Sequence, residues 1–173
     1  MSVREIVTLG DPREPVLHQK AKKIRRVDSY SRQLVEDLID TLHSAHGAGL
    51  AAPQIGVPLR AIVTLVEEKL NVVLNPEIVK ASDEESEAEE GCLSIPGWWG
   101  PVTRKERVTV RGLSRTGKPI KFKAEGWEAR VFQHEIDHLD GILFIDRMDD
   151  RSKLHRAETQ EEEQELEQEE VLA

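Results

Sequence analysis

A chain of 173 residues, 38% of them hydrophobic, has room for one domain with a real core, and its seven aromatics make that core aliphatic. The formal charge of −9 is local, because residues 158–173 hold eight acids and no Lys or Arg, and without them 25 acids face 24 bases. The acidic tail argues against nucleic acid as its ligand, the single cysteine rules out an internal disulfide, and no apolar run approaches the roughly 18 residues of a membrane span.

The first residues, Met-Ser-Val-Arg-Glu-Ile-Val, read as neither signal nor transit peptide, which makes a cytoplasmic protein the expectation. The opening through Leu9-Gly10-Asp11-Pro12 reads as extended chain ending in a turn. From 28 to 45 the pattern is helical: Leu34, Leu38 and Leu42 recur every fourth residue, with Val35 and Ile39 alongside. Asp28, Ser29 and Ser31 offer N-caps and Gly47 offers a stop.

Residues 47–54, Gly-Ala-Gly-Leu-Ala-Ala-Pro-Gln, are small and uncharged. On the glycines alone this is a flexible turn, and it lacks the Lys-Ser/Thr ending of a phosphate loop. Small residues also let backbone approach a ligand closely, and the amide of Gln54 is a donor suited to a developing oxyanion. Short strands are expected at 61–66 and 72–74, followed by an acidic, solvated stretch at 83–90.

Cys92 follows in Glu90-Gly91-Cys92-Leu93-Ser94. A lone cysteine is most often a small buried hydrophobe. As thiolate it is instead a ligand for a borderline metal, or a nucleophile paired with a histidine. Next, the segments 108–113 and 120–124, joined through Ser114-Arg115-Thr116-Gly117, predict a hairpin.

A second helix is expected over 126–140, closed by Gly141, and it carries Gln133-His134-Glu135-Ile136-Asp137-His138. Side chains four apart on a helix are neighbours, with Cβ atoms about 5–6 Å apart, so both imidazoles can reach one ion. Glu135 lies on the flank of that face, where its carboxylate can meet a metal-bound water without being a ligand. The plainer reading is an amphipathic helix that happens to bear two histidines. Cys92 with His134 and His138 makes a sulfur–nitrogen–nitrogen set with one open position, whereas structural zinc sites usually have four protein ligands. His46 is the one rival ligand. Residues 151–173, with Leu154 and Leu166 isolated, read as an exposed helix or disorder appended to a domain at 1–150.

Taken together, the stretches at 47–54, 90–94 and 133–138 resemble the peptide deformylases, in the order and at the separations of that family. The resemblance covers about residues 5–150. It implies an α+β fold, with small antiparallel sheets around a central helix that carries the His-Glu-x-x-His motif. It also implies a hydrolase that removes the formyl group from the N-terminal formylmethionine of newly synthesised polypeptides. By motif, Cys92, His134 and His138 would bind the metal, Fe(II) by the family's habit with Zn(II), Ni(II) or Co(II) as substitutes. Metal-bound hydroxide would attack the formyl carbon, with Glu135 as general base and then acid. Gln54 and the backbone N–H of Leu93 would hold the oxyanion, and Gly49 would line the substrate groove. Val131 and Trp127, three and seven residues before His134, are the candidates for the methionine pocket.

Two departures stand out. Many relatives carry an Arg a few residues after the cysteine motif, where this chain has Gly97-Trp98-Trp99-Gly100; the two tryptophans either wall the site or pack on the sheet. Some relatives dock on the ribosome through a basic C-terminal helix, which this acidic tail does not support. The expected partners are therefore N-formylmethionyl nascent peptides, with no nucleic acid and no membrane. The rival readings are another metal-dependent amidase or protease, and a non-catalytic protein in which the metal only stabilises.

Overall fold

The computed structural model describes residues 2–156. In chain order these form α1 (Ser29–Ala45), β1 (Gly49–Ala51), β2 (Ala61–Val66), β3 (Lys69–Ala81), β4 (Glu85–Cys92), β5 (Ile95–Lys105), β6 (Arg107–Leu113) and β7 (Pro119–Glu125). The helices α2 (Gly126–Leu139) and α3 (Phe144–Arg147) and the short strand β8 (His155–Arg156) complete the fold. The strands make two antiparallel sheets, one ordered β1-β2-β3-β6-β7 and one ordered β4-β5-β8. The expected α+β class holds, with α2 packed against strands of both sheets.

α1 starts where its caps predict: Asp28 accepts from the Ser31 N–H while Ser31 Oγ accepts from the Asp28 N–H. Leu34, Val35, Leu38, Ile39 and Leu42 are buried against β2 and the segment around Leu50 and Ile55. The helix stops one residue before the expected glycine. His46 takes the left-handed conformation, φ 54°, and its N–H closes on the carbonyls of Leu42 and His43.

β3 runs far beyond the expected 72–74. Its second half is largely exposed and is held by pairing with β6, Ile78 opposite Val110 and Lys80 opposite Thr109. No apolar run marks such a segment, because the partner strand supplies its order. The hairpin of β6 and β7 forms as predicted, with Val108 opposite Ala124 and Val110 opposite Phe122.

The stretch at 83–90 is also corrected. Most of β4 is exposed, but its last acid, Glu90, is buried at 3% exposure. The segment that follows 150 is a single 3-10 turn, Arg151–Lys153, and then β8, which pairs with Trp98 and Trp99 of β5. It is neither the helix nor the disorder expected for its first residues. Leu154 is not isolated but packs with Val7, Leu17, Val102 and Phe144 under the smaller sheet. The rest of the expected acidic tail, with Leu166, lies outside the described residues.

Candidate metal centre

Two elements bring the candidate residues together. β4 ends at Cys92, after a register shift between Gly91 and Cys92 that breaks the ladder with β5 and re-aims the strand end. α2 carries His134 and His138 one turn apart, with ring centroids 5.1 Å from each other. One ligand atom each of Cys92, His134 and His138 lies within 4.8 Å of the others, and Cys92 Sγ sits 3.3 Å from His138 Nε2. His46 is not part of this group among the described residues.

His134 is oriented from behind. Its Nδ1 is 2.9 Å from Glu90 Oε1, to which it donates, so Nε2 is the nitrogen left for the cluster. Glu90 is in turn held by both arms of Arg104, at 2.9 Å each, and by Arg130 at 2.6 Å. Arg104 reaches on to Asp137, which also accepts from Arg147. Burial alone would raise the Glu90 carboxyl, but its hydrogen bonds to His134 and Arg104 outweigh it and hold the group down at about 2. His134 loses by burial too, yet the bonds to Cys92 and Glu90 lift it well above the ordinary imidazole value. His138 is pushed well below that value, first by burial and then by the charge of His134.

Glu135 stands beside these ligands with 4% exposure, and burial pushes its pKa up to about 7. Among the described residues its Oε2 has no hydrogen-bond partner. The carboxyl fits there because residue 49 is glycine: a β carbon at that point would lie 2.7 Å from Glu135 Oε1. Gln54 is buried as well. Its Oε1 accepts from the Ala51 N–H at 3.0 Å, which turns Nε2 towards Ser94 Oγ and, at 3.6 Å, Cys92 Sγ.

These groups open into a cleft of about 430 Å³. Gly49, Gln54, Cys92, Leu93, Trp127, Val131, His134 and Glu135 all line it, while His138 is sealed behind at 1% exposure. Trp98 and Trp99 line the same cleft, and the Trp99 ring also packs on Gly91 of β4, so for Trp99 both readings hold at once.

A family model described as polypeptide deformylase matches residues 3–154. The chain belongs to the peptide deformylase family. The peptide deformylase of Thermomicrobium roseum is 53% identical over 94% of this chain and 96% of its own length. That of Desulforudis audaxviator is 49% identical over 85% of this chain and 94% of its own. Among solved structures, the Synechococcus elongatus peptide deformylase in complex with actinonin is 40% identical, with a TM-score of 0.83 over 88% of this chain and 82% of that one. The Thermotoga maritima deformylase gives a TM-score of 0.81 at 39% identity, over 86% and 99% of the two chains. Family membership makes this chain a hydrolase.

What the motifs did not reveal in this peptide deformylase family member is the buried charge cluster. Glu90 reads as one more acid in an acidic run, and Arg104 as a polar residue in a strand. One signal was available: Arg130 and Asp137 lie four before and three after His134, and so share its helix face.

Proposed function

We propose that this chain hydrolyses the formyl group from the N-terminal formylmethionine of newly synthesised polypeptides, releasing formate and a free amine. The observation that carries the reading is the convergence of Cys92, His134 and His138 beside a buried carboxyl, one oxygen of which has no partner among the described residues, at the base of one cleft. We assign residues 1–150 as the catalytic unit and 151–173 as a C-terminal segment whose first residues, 151–156, dock on that unit through Leu154 and β8.

The donor set fits a divalent cation. One thiolate and two imidazoles suit a borderline ion, three donors leave a position for substrate or water, and the Glu90 carboxylate behind His134 fixes that ring as such a ligand requires. Cys92 and one ring nitrogen each of His134 and His138 would hold it, Fe(II) by assignment and Zn(II), Ni(II) or Co(II) as substitutes. When bound it would supply Lewis acidity, lowering the pKa of a water and polarising the formyl carbonyl.

The chain's own residues do the rest. Glu135, poised near neutrality, takes a proton from the attacking water and returns it to the leaving amine nitrogen. Gln54 Nε2 and the Leu93 N–H donate to the oxygen on which charge develops; one such donor is worth roughly 3–4 kcal/mol. Gly49 lets the peptide lie close to Glu135, and Val131 with Trp127 takes the methionine side chain. The cation is the reason a nucleophilic role for Cys92 is not needed: thiol and both rings face one another and Glu135 has a task.

The assay is release of formate from a formyl-Met peptide by protein loaded with iron(II) without oxygen. Chelation should abolish turnover and re-addition of metal restore it, and actinonin, which the Synechococcus elongatus relative binds, should inhibit. Full activity in rigorously metal-free protein would end the reading. Equal rates on acetyl-Met and formyl-Met peptides would point to a broader amidase.

A further inference from the structure

The larger sheet is covered unequally. Val108, Val110, Phe122 and Ala124 face α2, so the alternate residues of β6 and β7 point away from it. On that second face α1 packs against β1 and β2, whereas the β6–β7 half carries Arg107, Arg111, Lys121 and Lys123, all exposed. Lys80, opposite Thr109 in the register, joins them from β3. A groove of about 510 Å³ runs between Lys80, Arg107 and Lys123, and Glu125 is the one acid among the described residues that line it.

Arg111 is paired with Glu77 and Arg107 with Glu84, but Lys80, Lys121 and Lys123 form no such pair on this face among the described residues. The basic character continues past the strands. Lys22-Lys23-Ile24-Arg25-Arg26 crosses the end of the sheet, fixed by the bonds of Ile24 to the Asn75 amide and by Val27 against Gly117 of the β6–β7 turn. Lysines on an edge strand such as β7 deter pairing with foreign strands. That task does not call for Lys80 on the central strand or for a basic run across the sheet end. Like charges gathered on one face repel, and a bound anion relieves them.

The chain itself carries the complement. Residues 157–173 hold eight acids and no Lys or Arg. They follow β8, where Arg156 pairs with Trp98. Trp98 and Arg107 are nine residues apart in the chain, so the groove begins within about 35 Å of Arg156, at about 3.3 Å per residue and about 5 Å between strands. Glu167 and Glu170 lie 11 and 14 residues beyond Arg156, spans of up to about 36 and about 46 Å. A tether of this length holds its acids near the groove at an effective concentration on the order of millimolar.

We propose that the acidic segment 157–173 docks by charge on the β3–β6–β7 face, with the glutamates of 165–170 in the groove between Lys80, Arg107 and Lys123, and that it keeps other polyanions off that face. The metal cleft lies across the sheet, beyond α2, so docking leaves turnover alone.

A zero-length carbodiimide, which joins carboxylate to amine, tests this on the metal-loaded full chain. At about 0.01 M salt, links from Glu165, Glu167, Glu169 and Glu170 should fall on Lys80, Lys121 and Lys123; at about 1 M, where the Debye length shrinks from about 30 to about 3 Å, they should disappear. A mixture of light and heavy isotope-labelled protein shows whether each link lies within one chain. Lys80→Glu with Lys123→Glu should remove the links and leave formate release as it was. A full chain carrying Glu165→Gln, Glu167→Gln, Glu169→Gln and Glu170→Gln should bind a labelled single-stranded RNA at least about fivefold more tightly than wild type at low salt. Links spread evenly over all lysines, links mainly between chains, or links that survive high salt overturn the docking. Equal RNA binding by wild type and the Gln variant overturns it too, because the face is then either open to nucleic acid or attracts no polyanion.

Discussion

The two faces of α2 are held by opposite physics. Towards the larger sheet it presents Ala129, Phe132, Ile136 and Leu139, packed with Ile62, Val73, Val108 and Val110. Towards the smaller sheet it presents Arg130, His134, Asp137 and His138, paired with Glu90, Arg104 and Cys92. The first face is non-directional: dispersion and burial tolerate any side chain of about the right volume. The second is directional and unforgiving, because losing one partner strands a charge where water cannot reach it. Only the second can aim a ring nitrogen. The helix is thus anchored on one side so that the other can be held to a fixed geometry.

The sharpest break between the faces is chemical. Glu135→Gln keeps the side chain's shape against Gly49 and should bind metal as before, yet lose about 10²- to 10⁴-fold in kcat. Metal content and turnover measured on one sample decide it, and a variant that keeps its turnover removes Glu135 from the mechanism.

Next in size is Glu90→Gln, which leaves Arg130 buried without its anion and Arg104 with Asp137 alone, and weakens the hold on His134. Chemical denaturation should show about 3–5 kcal/mol of lost stability, with metal affinity falling alongside. A loss under about 1 kcal/mol would mean that water already screens the cluster.

The pH dependence of the cation-free protein separates the two acids. Glu90 is held at about 2 against an ordinary 4.5, so it stays ionised in the folded chain. Its contribution, roughly 3 kcal/mol, is full above pH 4.5 and disappears as pH falls towards 2. Glu135 runs the other way: pushed up to about 7, it favours the folded state below pH 4.5 and gives that up as pH rises through 7. Denaturation midpoints across this range should therefore peak between the two limbs in wild type. In Glu135→Gln the alkaline decline should flatten; an unchanged profile contradicts the assignment.

On the apolar face the expected effect is smaller and purely volumetric. Ile136→Val should cost about 1 kcal/mol with kcat within twofold of wild type, and a large kinetic defect would show that the faces are coupled. Smallest of all is Arg111→Ala, which removes an exposed pair with Glu77 on the outer sheet surface. Its effect on the melting midpoint should be below about 1 kcal/mol equivalent.

The local features were legible in the sequence because they depend on neighbours in the chain. The caps and apolar stripe of α1, the turn between β6 and β7, and the His-x-x-x-His face of α2 follow from periodicities and turn chemistry over a few residues. The three motifs named the family by their joint presence. The length of β3, the burial of Glu90 and the docking of β8 did not follow, since each is set by a partner far away in sequence. Glu90 is 14 residues from Arg104, 40 from Arg130 and 44 from His134. An acid in a charged strand looks solvated until the fold lays two guanidinium groups and an imidazole against it. Local pattern names the side chains that can carry the chemistry; long-range packing sets which charges are shielded from water, and so which nitrogen faces the cluster and at what pH each group ionises.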